Sequence, residues 1–237
     1  MAKLLVISDV HGSMDALDAL NDRLDVNRVD KILCLGDMVG YGPEPNEVMA
    51  QLRDWNAECV LGNHDAALLK DRGVDLDEHF TGSNKAMLRL TRDLIDGDNY
   101  QWLQSLPFVL QGTLDGYTYI ASHSNPIHPT SWERIVEVHR CQQLLTQIDA
   151  DIELCFLGHT HQSGIVTENM RMIVNPGYMF HAKSPFSQPS FFTFDTASST
   201  YDLEYLEFDI DPIISKLQIL GFSQREAVEL VGIRPIK

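Results

Sequence analysis

Positive charge and cysteine are both scarce in this chain. It has 18 Lys and Arg against 34 Asp and Glu, a formal net charge of -16 over 237 residues. Sequence-independent binding of nucleic acid needs a basic face. The charge therefore argues against long polyanions as partners, although a small phosphate ester is not excluded. The four cysteines, Cys34, Cys59, Cys141 and Cys155, lie far apart with no Cys-x-x-Cys spacing, and Cys34, Cys59 and Cys155 sit within apolar runs. That usage predicts buried free thiols in a reducing compartment, the cytoplasm. No apolar run approaches the ~20 residues of a membrane helix. Met1-Ala2-Lys3-Leu4 leads directly into a strand pattern, so no signal peptide is expected. Linkers, low-complexity segments and tandem repeats are also missing. Residues 1–237 are accordingly expected to form a single domain, long enough to bury a substantial core.

What is present is a repeated event. Lys31-Ile32-Leu33-Cys34-Leu35 stops at Gly36 and is followed at once by Asp37. Lys3 to Ser8 runs into Asp9-Val10-His11-Gly12, and Ala57 to Leu61 runs into Gly62-Asn63-His64-Asp65. Tyr117 to Ser122 runs into His123, and Ile152 to Leu157 runs into Gly158-His159-Thr160-His161. Each run reads as a buried strand ending in a polar loop. Between the first strands, Met14, Leu17, Leu20 and Leu24 recur at helical spacing behind Ser13, a suitable N-cap. Asn46 is placed to cap a second helix reaching Trp55, and His64 to Lys70 begins a third. The strand-loop-helix alternation predicts a largely parallel sheet covered on both faces.

Residues 71–106 carry no motif and read as a helical insertion or cap, including a helix over Ser83 to Ile95. The second half is richer in hairpins. Leu114-Asp115-Gly116 and Glu168-Asn169 are the expected turns, and Leu203 to Phe208 is a late strand. Residues 209–237 read as C-terminal helices. Two mixed sheets flanked by helices fit this better than one doubly wound sheet.

Polar residues at the carboxyl ends of strands converge on one edge of an α/β fold. The collected set is Asp9, His11, Asp37, Asn63, His123, His159 and His161. Oxygen and imidazole donors without thiolate suit Mn²⁺, Fe or Zn²⁺ better than Ca²⁺. Seven donors exceed what one ion uses, and two ions about 3.5–4 Å apart are the usual arrangement for phosphoester hydrolysis.

In order, Asp9-x-His11, Gly36-Asp37, Gly62-Asn63-His64-Asp65, His123 and Gly158-His159-x-His161 resemble the motif series of the calcineurin-like metallophosphoesterase superfamily. Size and Asn175-Pro176-Gly177 resemble its small bacterial and archaeal phosphodiesterase branch, with Tyr178 standing where a small hydroxyl residue is expected. The resemblance implies an α/β fold, a four-layer αββα sandwich, with two metal ions at one edge. It assigns Asp9, His11 and His161 to one ion, Asn63, His123 and His159 to the other, and Asp37 to a bridge. A metal-activated hydroxide would attack phosphorus in line. His64 would be catalytic, stabilising developing charge or protonating the leaving oxygen. Asp65 is open to two roles, orienting His64 or capping the helix. Tyr41 and His128 are candidates for contact with substrate, whereas His79, His139 and His181 read as surface or helix-face residues.

One departure bears on substrate. Phosphoprotein phosphatases and related diadenosine tetraphosphatases follow Gly-Asp with an Asp-Arg-Gly whose Arg clamps phosphate; here those places read Gly40-Tyr41-Gly42. Without a bidentate Arg, recognition of a monoester dianion is weakened. The expected function is thus a phosphodiesterase on a small, nucleotide-like phosphoester. The alternatives are a phosphomonoesterase or phosphoprotein phosphatase, and a non-catalytic scaffold like the retromer-type relatives of the superfamily.

Overall fold

The computed structural model describes residues 1–69, 71–180 and 188–232; Lys70, residues 181–187 with His181, and residues 233–237 lie outside them. The chain opens with β1 (Lys3–Ile7), α1 (Met14–Arg23), β2 (Lys31–Cys34), α2 (Pro45–Asp54), β3 (Glu58–Cys59) and α3 (Asn63–Leu68). Three helices follow: α4 (Leu76–His79), α5 (Gly82–Leu94) and α6 (Gly97–Ser105). The second half runs through β4 (Val109–Leu114), β5 (Tyr117–Ser122), α7 (Val138–Gln147), β6 (Leu154–Leu157), β7 (Gly164–Glu168) and β8 (Arg171–Asn175). It ends with β9 (Ser190–Asp195), β10 (Thr200–Tyr205), α8 (Asp211–Ile219) and α9 (Gln224–Leu230).

The strands form two five-stranded mixed sheets, ordered β10-β9-β1-β2-β3 and β4-β5-β6-β8-β7. In each, parallel strands are joined by antiparallel neighbours: β9 pairs with β1, and β4 and β7 pair with β5 and β8. Side chains alternate across the pleat with period two, and the layers follow from that. Leu4, Val6, Leu33 and Leu35 meet Tyr119, Ala121, Phe156 and Val174 between the sheets. The intervening Leu5, Ile7, Ile32 and Cys34 pack outward against α1, α2 and α3. On the other sheet Ile120, Cys155, Leu157 and Ile173 pack outward against Cys141, Leu144 and Leu145 of α7. The order is helices, sheet, sheet, helix, the expected four-layer sandwich. Among the described residues no helix is long and apolar enough to cross a membrane.

Local chemistry explains most of the boundaries. Ser13 caps α1, its side chain accepting from the Ala16 N–H at 3.2 Å. The β4–β5 turn is Asp115-Gly116, both at positive φ, which matches the twist of a two-residue hairpin. Three expectations shift. Pro45 occupies the first turn of α2 and Glu44 its cap position, so Asn46 is not the cap. Its side chain instead accepts from Asp96 N–H at 3.1 Å and donates to Leu94 O at 2.9 Å, fastening α2 to the α5–α6 connection. The second hairpin turns at Asn169-Met170, one residue late. β10 begins at Thr200 because all six of its residues pair with β9, ahead of the expected Leu203 start.

Candidate metal centre

The motif loops leave the carboxyl ends of β1, β2, β5 and β6 and of the segment after β3. They meet at one edge of the sandwich. Asp9 Oδ1 lies 3.0 Å from His161 Nε2 and 3.7 Å from His11 Nε2. Asp37 Oδ2 faces three imidazoles, His123 Nε2 at 3.3 Å and His11 and His64 Nε2 at 3.9 Å. His123 Nε2 is 3.1 Å from Asn63 Oδ1. Three groupings bring ligand atoms together: Asp9, His11 and His161; Asp9, Asp37 and His123; and His11, Asp37 and His64. Asp9, His11, Asp37 and His123 are buried, while Asn63, His159 and His161 are half-buried and form the open side.

Main-chain carbonyls orient the rings. His11 Nδ1 donates to Val39 O at 2.9 Å, and His123 Nδ1 to Leu35 O at 2.7 Å. A carbonyl only accepts, so both protons sit on Nδ1 and both Nε2 atoms face the cluster. In His159 the pattern reverses: Nε2 donates to Trp132 O at 2.9 Å, so Nδ1 is the nitrogen that could serve as a ligand atom. Asp9 Oδ2 accepts from Ser8 Oγ at 2.5 Å and from His159 N–H at 3.1 Å. Its other oxygen, Oδ1, is buried without an aligned hydrogen-bond donor among the described residues. A buried carboxylate oxygen in that state, beside imidazole nitrogens turned inward, fits a cation ligand. The donor set suits a divalent or transition metal ion.

In the metal-free cluster the carboxylates and imidazoles shift one another's protonation. Burial pushes the Asp37 carboxyl up, but the charges of His123 and His64 outweigh it and hold it well below the ordinary carboxylate value. Burial pulls His123 down, yet Asp37 and Asp9 raise it to about 10. Burial, then the His123 charge, takes His159 down to about 4; burial takes His64 to about 4 against the opposing pull of Asp37. His123 thus stands protonated beside neutral His11, His64 and His159.

A calcineurin-like phosphoesterase superfamily domain model matches residues 2–199. The chain belongs to that superfamily. A Methanocaldococcus jannaschii protein, MJ0912, is 28% identical over 229 residues, 90% of this chain and 91% of its own. The crystal structure of a metallophosphoesterase from Sphaerobacter thermophilus is similar, with a TM-score of 0.76, 26% identity and coverage of 98% of this chain and 99% of that one. A shorter match, 39% identical over 66 residues, 27% of this chain and 23% of the relative, is to a symmetrical bis(5'-nucleosyl)-tetraphosphatase of Pseudomonas putida.

The structure places the remaining candidates of this calcineurin-like chain differently. Tyr41 is buried, its ring 4.5 Å from His11 and 5.1 Å from His64. His128 is exposed, and its backbone N–H lies 3.4 Å from Asn125 Oδ1; no contact joins it to the cluster among the described residues. Asp65 accepts from the N–H groups of Asp37, Met38, Val39 and Gly62 at 2.7–3.2 Å. It therefore shapes the Asp37 loop rather than touching His64. Sequence reasoning did not single out Ser8, Phe80, Trp132 or Arg134. Phe80 meets the His64 ring edge-on at 4.8 Å, and Arg134 Nη2 donates to Thr160 O at 2.8 Å, between His159 and His161. None of the four falls inside a motif, so no local signal marks them.

Proposed function

We propose that this protein is a metal-dependent phosphodiesterase acting on a small, nucleotide-like phosphoester. The observation that carries the reading is the convergence of Asp9, His11, Asp37, His123 and His161, with Asp9 Oδ1 lacking an aligned donor among the described residues. Asp9, His11 and His161 would hold one ion, Asn63, His123 and His159 the second, and Asp37 would bridge them. Two such ions, Mn, Fe or Zn, would polarise the phosphoryl oxygens and lower the pKa of a water molecule. His64 is kept neutral by burial at neutral pH. That favours donation of an N–H hydrogen bond to the leaving oxygen over delivery of a proton from an imidazolium. Gly40-Tyr41-Gly42 in place of an arginine-bearing loop favours a singly charged diester over a dianionic monoester. The local likeness to a bis(5'-nucleosyl)-tetraphosphatase supports a nucleotide-like substrate. Four buried free thiols fit a cytoplasmic protein. We also read residues 1–237 as one unit, because α9 packs with α5 of the helical insertion.

The decisive experiment pairs elemental analysis with hydrolysis of bis(p-nitrophenyl) phosphate and p-nitrophenyl phosphate, with and without Mn²⁺. About two metals per chain and metal-dependent turnover that favours the diester are expected, and Asp37→Asn should abolish it. No bound metal after reconstitution, or full turnover in the Asp37 variant, would overturn the reading. His64→Ala should keep both metals while losing about 10²-fold or more in turnover; loss of metal would make His64 a ligand, as its grouping with His11 and Asp37 allows.

A further inference from the structure

The helical insertion and the C-terminal helices contribute no ligand, yet together they enclose a cavity of about 230 Å³. Tyr41 and Phe80 line it, and the same two rings flank His64 at 5.1 and 4.8 Å. The cavity therefore adjoins the residue assigned to the leaving oxygen. His79, Thr81, Ser83, Asn84 and Glu229 form its polar wall, with His79 Nδ1 turned to Asp75 O at 2.9 Å. Asn84 Oδ1 is buried and has no hydrogen-bond partner among the described residues. Ser83 Oγ donates to Glu229 Oε2 at 3.1 Å, which uses the hydroxyl proton and leaves the carboxylate as an acceptor. Asn84 Oδ1 and the Glu229 carboxylate are thus the acceptors in this wall, and the carboxylate charge repels phosphate and rewards N–H donors. Its size falls below the about 300–1,000 Å³ of pockets that take a whole drug-sized ligand, so it suits one part of a substrate. Glu229 belongs to α9, which lies beyond the residues matched by the family model.

We propose that this cavity binds an amino-bearing heterocyclic base carried by the leaving group. The rings of Tyr41 and Phe80 give the base an aromatic surface, and Asn84 Oδ1 and the Glu229 carboxylate accept from its exocyclic amine. Adenine and cytosine carry such an amine. Uracil carries carbonyl oxygens in its place and would set them against the carboxylate. The link to the leaving group rests on the phosphodiester reading; base recognition by the cavity does not.

Calorimetric titration of the 237-residue protein with adenosine, cytidine and uridine tests the cavity directly. Adenosine and cytidine should bind at least about tenfold more tightly than uridine. Glu229→Gln and Asn84→Leu should each weaken adenosine binding by about fivefold or more and narrow its advantage over uridine. Equal binding of adenosine and uridine, binding of none of the three, or unchanged affinity in both folded variants would overturn the proposal. If a variant fails to fold, the three wild-type titrations decide alone. Bis(p-nitrophenyl) phosphate carries no base, so its hydrolysis reports separately on the phosphodiester reading.

Discussion

The two ends of the sandwich use left-handed backbone in opposite ways. At the end away from the metal centre, the non-glycine residues with positive φ are Asn56, Asp115, Asn169, Met170 and Ser199, all in turns beside strands. At the site end they are Asp9, His11, Asp37, His159 and His161, with Trp132 in the loop after His123. The first group consists mostly of short polar residues that tolerate this region in exposed turns. In the second group, five of the seven candidate ligands hold it, and three of these five are histidines. Turn chemistry accounts for one end; at the other, surrounding structure has to hold the conformation in place. Asp65 does part of that holding, through four N–H groups around Asp37.

The contrast can be broken at the site end most severely. A Cβ on Gly62 would lie 2.1 Å from Asp37 Oδ1. Gly62→Ala should therefore displace that carboxylate, costing about 1–3 kcal/mol of stability. It should also lower kcat/KM by at least about tenfold. Denaturant melts and diester kinetics check both, and a neutral result would mean that the loop yields cheaply.

The next effect is a pH dependence confined to the metal-free protein. His123 is raised from 6.5 to about 10, so its contribution is full below 6.5 and is lost as pH rises through about 10. His64 and His159 are lowered from 6.5 to about 4, so their contributions are full above 6.5 and are lost as pH falls through about 4. Metal-free stability should peak near 6.5 and decline on both sides, with His123→Gln flattening the alkaline limb. Urea melts across this range suffice, and an unchanged alkaline limb in that variant would contradict the assignment.

The smallest effect lies at the turn end. Met170 is 98% exposed with φ 63, a conformation its side chain does not favour. Met170→Gly should stabilise by about 1 kcal/mol and leave diester hydrolysis unchanged. A loss of stability would mean that this turn, too, is held by its surroundings.

These contrasts also mark where sequence is readable. Asp9, His11, Asp37, Asn63, His123, His159 and His161 could be collected because each follows an apolar run, and strand ends share an edge. The continuous run Leu4-Leu5-Val6-Ile7 reads as a buried strand because both its faces are covered, Leu4 and Val6 by the second sheet and Leu5 and Ile7 by helices. Asn46 misled because its side chain found partners some 50 positions away, at Leu94 and Asp96, that outweighed local capping. β10 misled because its register is set by β9 rather than by its own apolar residues. Phe80 and Arg134 were invisible because their relevance depends on loops that meet only after folding.

The ring partners of His11, His123 and His159 are the main-chain oxygens of Val39, Leu35 and Trp132. A codon change can delete a side chain, but it leaves a peptide oxygen in place. The aim of these three rings is therefore set without a partner side chain, provided the loops keep their course. A saturation-mutagenesis map of this protein should then show intolerance at the candidate ligands and the glycines beside them, and at buried Leu35 and Val39 acceptance of apolar replacements of similar volume only.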